Sequence, residues 1–357
     1  MSSSYIGKKI SISLFGESHS AAVGVVIDRL PSGFAPDMDA VSAFIARRAP
    51  GQGAHTTMRK ETDAPEILSG LVDGHTCGTP LAAIIRNNDA RSADYEKLRE
   101  VPRPAHADFP LWMKTKGKND IRGGGHASAR VTAGLCFAGA LCLQWLAERS
   151  IRVRARIASI GKKNDVAATP EEILAMDADR VLPVVSSEAE KLLLAEIEAA
   201  RQDGDSVGGI VECIADGLPA GLGDPIFDGL ENRLAQMVFG IPAVKGIEFG
   251  NGFEAARMRG SENNDPFTVQ DGRILTATNN HGGILGGMAS GMPLVMRVAF
   301  KPTPSISRPQ QSVNLATLKP CELTIQGRHD PCVVPRAVPI VEAATAIVLA
   351  DLLLADA

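Results

Sequence analysis

The segment Phe15-Gly16-Glu17-Ser18-His19 decides how this chain must begin to fold, because strand-like runs stand on both sides of it. Ile10, Ile12 and Leu14 alternate with polar residues before it, and Ala21 to Ile27 is small and apolar after it, so the pentapeptide reads as the turn of a β-hairpin. An antiparallel pair near the N-terminus is expected, with a titratable histidine at its bend. That is a site geometry, although turns also collect polar residues for no catalytic reason.

Helices and strands then alternate without the strict order of βαβ units. Asp37 to Arg48 reads as a helix with Arg47 and Arg48 in its last turn. Thr169-Pro170-Glu171-Glu172 opens another, with proline where a missing N–H is harmless. Ser187-Glu188-Ala189-Glu190 has a capping-box pattern leading into a helix that ends near Gly204, and Pro339 is expected to open the C-terminal helix. Ser206 to Ala215, Val244 to Phe249 and Leu294 to Phe300 read as strands. Leu135 to Ala147 reads as a buried helix, short of the roughly 20 residues that span a bilayer. With no repeat, linker or composition break in 357 residues, the expectation is α+β in one large unit covering residues 1–357.

A net charge of -4 gives no global reason to expect nucleic acid, and aromatic residues at 4% leave few stacking platforms for bases. Cys77, Cys136, Cys142, Cys213, Cys321 and Cys332 are scattered without metal-ligand spacing, so no metal site is expected and reduced thiols in a cytosol are the simpler reading. Met1-Ser2-Ser3-Ser4-Tyr5 lacks the apolar core of a secretory signal. The expectation is a cytoplasmic protein without a membrane partner.

The total charge conceals a basic stretch. Arg86 to Arg130 holds ten basic residues against six acidic ones. Lys114, Lys116 and Lys118 suit a solvated surface, whereas Arg48, Arg103, Arg122 and Arg130 stand beside turns or helix ends, where planar guanidinium groups bind phosphate and carboxylate through paired hydrogen bonds. A small polyanion is the implied ligand. Arg122-Gly123-Gly124-Gly125-His126-Ala127-Ser128-Ala129-Arg130 adds three glycines before an apolar helix, where bare backbone can approach an anion. The segment is neither a P-loop nor the dinucleotide fingerprint. Gly250-Asn251-Gly252-Phe253-Glu254-Ala255 matches that fingerprint formally, but no convincing helix follows it. Asn279 to Gly287 is glycine-dense, which suits either a flat ligand or tight turns. Lys301-Pro302-Thr303-Pro304-Ser305 and Gln326 to Cys332 put charged and hydroxyl groups on proline-stiffened backbone, and Asp330 there reads either as a base or as an Asx turn.

Together, Gly16-Glu17-Ser18-His19, Arg103-Pro104-Ala105-His106-Ala107-Asp108, Arg122 to Arg130, Gly282 to Gly287 and Gly327 to Cys332 closely resemble the chorismate synthase family of the shikimate pathway, in its bacterial monofunctional form. The resemblance runs from the first strand to the last helix. It implies a carbon–oxygen lyase of aromatic amino-acid biosynthesis, performing the trans-1,4-elimination of phosphate from 5-enolpyruvylshikimate 3-phosphate to give chorismate. Reduced FMN (FMNH2) is the implied cofactor. The histidine matching His19 would protonate the departing phosphate, that matching His106 the reduced flavin, and the aspartate matching Asp330 would act with the flavin in removing the ring proton. Ser18, Arg48, Arg103, Arg130 and Arg328 match positions around the substrate. For FMN the matches are Arg48, His126, Ala127, Ser128, Pro242, Ala243, Gly286, Lys301, Pro302, Thr303, Pro304, Ser305 and Arg328. The implied fold is a central core of antiparallel sheets with helices outside, a β-α-β sandwich, assembled as a homotetramer. No reductase domain is apparent, so an external flavin-reducing system linked to NADP is implied.

Departures from the family pattern fall at Ala54, where many members carry a second arginine, at His126-Ala127 in place of Arg-Ser, and at Pro242 in place of Asn. A serine hydrolase using Ser18 and His19 is a rival reading, but no nucleophile-elbow signature accompanies them. A hydrolase or binding protein for phosphorylated ligands is the other alternative.

Overall fold

Two helices, Thr132–Ala147 and Val334–Asp356, organise the molecule because both are apolar on nearly every side. Such helices have no face to give to water and are driven inside. In the computed structural model, which describes residues 3–49, 51, 63–88, 98–176, 180–325 and 330–356, they pack on each other. Small residues set their approach. A Cβ on Gly139 would stand 2.2 Å from Ala343 Cβ, and one on Gly134 would stand 2.9 Å from the carbonyl oxygen of Gly24. Glycine therefore brings one helix against its partner and against a sheet at once.

Each helix carries a five-stranded antiparallel sheet on its far side. The first sheet has the order Ser4–Ile6, Ser11–Gly16, Ala22–Asp28, Leu81–Arg86, Pro65–Ser69, and Thr132–Ala147 lies on it. The second has the order Val244–Phe249, Leu294–Phe300, Gly209–Asp216, Arg152–Ile160, Lys163–Asn164, against which Val334–Asp356 lies. The fold is α+β, with the two apolar helices between the sheets and amphipathic ones such as Ser187–Gln202 facing solvent. One hydrophobic cluster runs from Tyr5 to Leu352.

The expected hairpin forms, with Ser11 paired to Asp28 and Gly16 to Val23 around the turn that holds His19. Asp37 caps the helix Met38–Arg48, and Thr169 with Glu172 closes a capping box on Pro170–Leu174. Three expectations need correction. Ser186, not Ser187, caps Ser187–Gln202, because Glu190 turns away to accept from the Leu182 N–H at 2.8 Å. Pro339 does not open the C-terminal helix but lies inside it, five residues after its start at Val334. The helix forgoes one N–H bond there and is held by burial instead. Val334–Asp356 is also a longer apolar stretch than Leu135 to Ala147: it and Ala129–Ala147 are long and apolar enough to cross a membrane, yet 89% and 83% of their most apolar windows are buried inside the fold.

Two buried carboxylates lock the C-terminal helix to the N-terminal half. Glu342 accepts from Arg47 Nη1 and Nη2 at 2.6 and 3.1 Å and from the Ala155 N–H at 2.8 Å. Asp351 accepts from the N–H groups of Lys8, Lys9 and Ile10 at 2.7–2.9 Å. The first ends Met38–Arg48 at a fixed place, which puts the next side chain, Arg48, into the site.

Candidate active site

The first residues of both central helices open onto one cavity of about 980 Å³, walled also by the hairpin turn, the triple-glycine loop and the ends of two second-sheet strands. Two helix N-termini favour negative charge there, and the side chains reinforce them. Among the described residues the wall carries six cations, Arg48, Arg103, Arg130, Lys245, Lys301 and Arg336, against one carboxylate, Asp330. His19, His106 and His126 line it too.

Consecutive glycines hold two of those histidines apart. Gly123, Gly124 and Gly125 have φ of 60°, 89° and 56°, a run that residues with side chains adopt only under strain. A Cβ on Gly123 would come within 2.4 Å of Ser18 Oγ and 2.5 Å of the His19 ring, whereas one on Gly124 would lie 3.1 Å from His106 Nε2. One on Gly125 would strike the Asp120 carbonyl oxygen at 2.1 Å. The glycines therefore make room for Ser18, His19 and His106, a different reason from the approach to an anion that the sequence suggests. Ser18 donates its N–H to the Gly125 carbonyl at 3.1 Å, tying the hairpin turn to the loop. His126 tightens the same joint: it meets the Gly16 carbonyl at 2.7 Å through Nδ1 and Ser3 Oγ at 2.6 Å through Nε2. A carbonyl only accepts, so Nδ1 carries the proton and Nε2 accepts from the serine. Arg122 turns aside to Asp120 and leaves the wall.

Arg103 and His106 share one buried carboxylate. Arg103 donates to Asp108 through Nε at 2.7 Å, Nη2 at 2.8 Å and its backbone N–H at 3.0 Å, and His106 Nδ1 lies 2.6 Å from the same side chain. Burial pushes the Asp108 carboxyl up, but the hydrogen bonds from Arg103 and His106 outweigh it and hold the group well below the usual carboxylate range. Asp108 is therefore a carboxylate throughout the neutral range.

Asp63 plays the same part for the other pair. Its two oxygens accept separately, from Arg48 Nη2 at 2.8 Å and from Arg130 Nη1. Arg130 also donates to Asn87 Oδ1 at 2.7 Å and to the Arg86 carbonyl at 3.0 Å. Burial lowers Arg48 to about 10 despite the nearby Asp63 charge, which still leaves it cationic at neutral pH. Burial raises Asp63, yet Arg48 and Arg130 together bring it below its ordinary value. Asp330 accepts from Arg336 Nη1, and Arg336 Nε donates to the Arg48 carbonyl at 2.9 Å. The three acidic groups thus orient arginines that face a common space.

The wall expected to hold a flavin is more apolar. Ala127, Ser128, Pro242, Ala243, Thr303, Pro304 and Ser305 line it beside Lys301. Thr303 Oγ1 is buried there with no hydrogen-bond partner among the described residues, and Lys301 lies lower than an ordinary lysine because of burial and the Lys245 charge. An unused hydroxyl and two adjacent cations fit a ligand bearing phosphate, and the volume suits a flavin with a second small molecule.

Two expected positions do not reach the cavity. Pro302 is exposed between wall residues. Gly286 lies off the wall, in the turn that pairs Ile284–Leu285 with Met288–Ala289. Gly282, Gly283 and Gly287 there admit close backbone at 2.2–2.5 Å from a Cβ position, so tight turns explain this segment. Arg328 and Ala54 lie outside the described residues. Gly250 to Ala255 turns after Val244–Phe249 into the 3-10 segment Gly252–Arg257, without the helix that dinucleotide binding requires. Sequence reasoning missed Asp63, Lys245 and Arg336 and read Asp108 only as part of a motif. Asp108 stood within reach of a spacing argument, whereas Asp63 lies 15 and 67 residues from its partners.

A family model described as chorismate synthase matches residues 10–354. Similar proteins named chorismate synthase include one from Thermococcus gammatolerans, 50% identical over 348 residues, covering 98% of this chain and 97% of its own. Another from Dehalococcoides mccartyi is 48% identical over 352 residues, covering 99% of this chain and 97% of its own. Among solved structures, a crystal structure of chorismate synthase superposes with a TM-score of 0.78 at 30% identity, covering 98% of this chain and 93% of that one.

Proposed function

The chain belongs to the chorismate synthase family, and on that premise we propose that it eliminates phosphate from 5-enolpyruvylshikimate 3-phosphate to form chorismate, with reduced FMN bound in the same cavity. The observation that carries this reading is the six-to-one excess of cations on the wall beside two separately held histidines. The substrate brings one phosphate and two carboxylates and the cofactor a further phosphate, which matches that excess. Two histidines on opposite sides of a glycine loop give one proton donor to each of two bound molecules, which a simple binding protein does not require.

The flavin supplies an electron that can be lent and recovered, which opens a route where the departing hydrogen is not acidified by a carbonyl. The chain supplies the rest. Arg48 and Arg130, spaced by Asp63, and Arg103, fixed by Asp108, grip the anionic groups. His19, in the hairpin turn beside Ser18, gives a proton to the leaving phosphate. His106 holds a proton at Nε2 on the flavin side, and Asp330 receives the ring proton. Ala127, Ser128, Pro242, Ala243, Lys301, Thr303, Pro304 and Ser305 hold the flavin, with Thr303 Oγ1 as a donor to it. The side chain of His126 is occupied by Gly16 and Ser3, so its contact with the flavin is through backbone.

We place the whole chain in one domain, in the cytoplasm, with reducing equivalents delivered from an external, NADP-linked source. Six free cysteines suit that compartment. A homotetramer is supported by large exposed side chains such as Phe227, Phe253, Phe267 and Val269. Anaerobic incubation of the purified protein with 5-enolpyruvylshikimate 3-phosphate and chemically reduced FMN tests the function. Chorismate and phosphate should appear in equal amounts; phosphate alone would point to a phosphatase, and no turnover would remove the assignment.

A further inference from the structure

We propose that Asp108 is a positioning residue that keeps the proton of His106 on Nδ1, so that Nε2, the nitrogen facing Gly124 and the cavity, is the one that gains and gives a proton. The inference rests on the reading of His106 as a proton donor, and it adds the group that makes the ring one. Among the described residues two charged side chains hydrogen-bond that ring, Asp108 Oδ1 at 2.6 Å and Arg103 Nη2 at 3.2 Å, both directed at Nδ1. On the Nε2 side lies Gly124, where a Cβ would stand 3.1 Å from that nitrogen. These two neighbours make opposite demands. A carboxylate accepts, so it requires Nδ1–H; a guanidinium donates, so it requires a bare Nδ1.

Distance and charge decide the contest. Asp108 is closer, and Arg103 Nη2 is already spent on Asp108 Oδ1 at 2.8 Å. The carboxylate is only 5% exposed and stays ionised, so it cannot donate to the ring in return. Nδ1–H therefore points to Asp108, and the second proton of the imidazolium sits at Nε2. Asp108 has a further effect, since it neutralises a guanidinium that would otherwise repel that second charge. Without it, Arg103 would donate to Nδ1. The ring would flip to the Nε2–H tautomer and hold its second proton far less well.

The test is a nitrogen-15 histidine NMR titration of the full-length protein without flavin or substrate, with His106→Ala assigning the resonance. In the wild type the neutral ring should show protonated Nδ1 and bare Nε2. Asp108→Asn should invert the tautomer and move the titration midpoint down by at least one pH unit, a tenfold change in proton affinity. Asp108→Glu, which keeps the carboxylate, should preserve the wild-type tautomer. A wild-type ring with bare Nδ1 would overturn the inference without any variant, as would an unchanged tautomer and midpoint in Asp108→Asn. Kinetics separates the two readings: full turnover by His106→Ala would remove the proton-donor role but leave the NMR coupling standing. Loss of His106 control should lower kcat, whereas release of Arg103 should raise KM.

Discussion

Two charge networks in this protein use the same side chains for opposite ends. On the second sheet, Arg156, Glu212, Arg297 and Glu248 form a row across four neighbouring strands, each at the register position facing the next. Arg156 donates to Glu212 at 2.8 Å and to Asp165 at 2.9 Å, and Arg297 to Glu248 at 2.7 Å. Three carboxylates meet two arginines, and the row closes on itself. At the cavity the balance is reversed. Asp63 and Asp108 sit behind the wall, and the arginines they fix, Arg48, Arg130 and Arg103, line the open space. Buried ion pairs as such mark neither stability nor function. What marks a site here is a cation excess directed at a common volume, with carboxylates used only to aim it.

The sharpest break in that comparison is expected at the histidines, which the sheet network lacks. His19→Ala and His106→Ala should each lower turnover by about 100-fold or more while circular dichroism stays native. A near-normal rate in either would take that residue out of the chemistry. The next contrast sets Arg130→Met against Arg156→Met. Loss of Arg130 should raise KM for the substrate by about 10- to 100-fold, as for a lost charged hydrogen bond. Loss of Arg156 should leave kcat and KM unchanged but reduce unfolding free energy by about 3–5 kcal/mol, because Glu212 and Asp165 are left buried without it. If Arg156→Met raised KM as much as Arg130→Met, the division of labour would be wrong.

Acid should act through the carboxylates of the cavity. Asp63 and Asp108 have folded values below their ordinary ones, so their contribution to stability is complete above the unfolded value of about 3.9 and is lost as pH falls below it, through the depressed folded values. Denaturant titrations should show a steepening loss below about pH 4, and Asp108→Asn should flatten part of it. An unchanged pH profile in that variant would mean Asp108 is not the group responsible. The smallest effect belongs to an exposed pair. Arg201 and Glu198 meet at 2.6 Å on the solvent side of Ser187–Gln202, and Arg201→Ala should leave the melting temperature where it is.

The sequence was legible where causes are local. The hairpin around Gly16 to His19, the helix with Arg47 and Arg48 in its last turn and the helix opened at Thr169-Pro170 are set by neighbours within a few residues, and all three form as read. His19, His106, Arg103 and Arg130 could be singled out because they sit in contiguous motifs. Distant partners were hidden. Nothing near Asp63 announces that Arg48 and Arg130 will share it, and nothing around Glu190 shows that Leu182 will claim it. The purpose of the three glycines was also out of reach, since the groups that need the room, Ser18, His19 and His106, arrive from other segments. Pro339 misled for a related reason: burial between two sheets supports a helix that local rules would start later.

The central claim is that one cavity holds both the flavin and the anionic substrate between the two histidines. A crystal structure of the protein with oxidised FMN and 5-enolpyruvylshikimate 3-phosphate tests it most directly. The account predicts the flavin against Ala127–Ser128 and Thr303–Ser305, with the substrate phosphate beside His19 and its carboxylates on the arginines fixed by Asp63 and Asp108. Either molecule bound elsewhere, or a substrate phosphate beyond hydrogen-bond reach of His19, would contradict it.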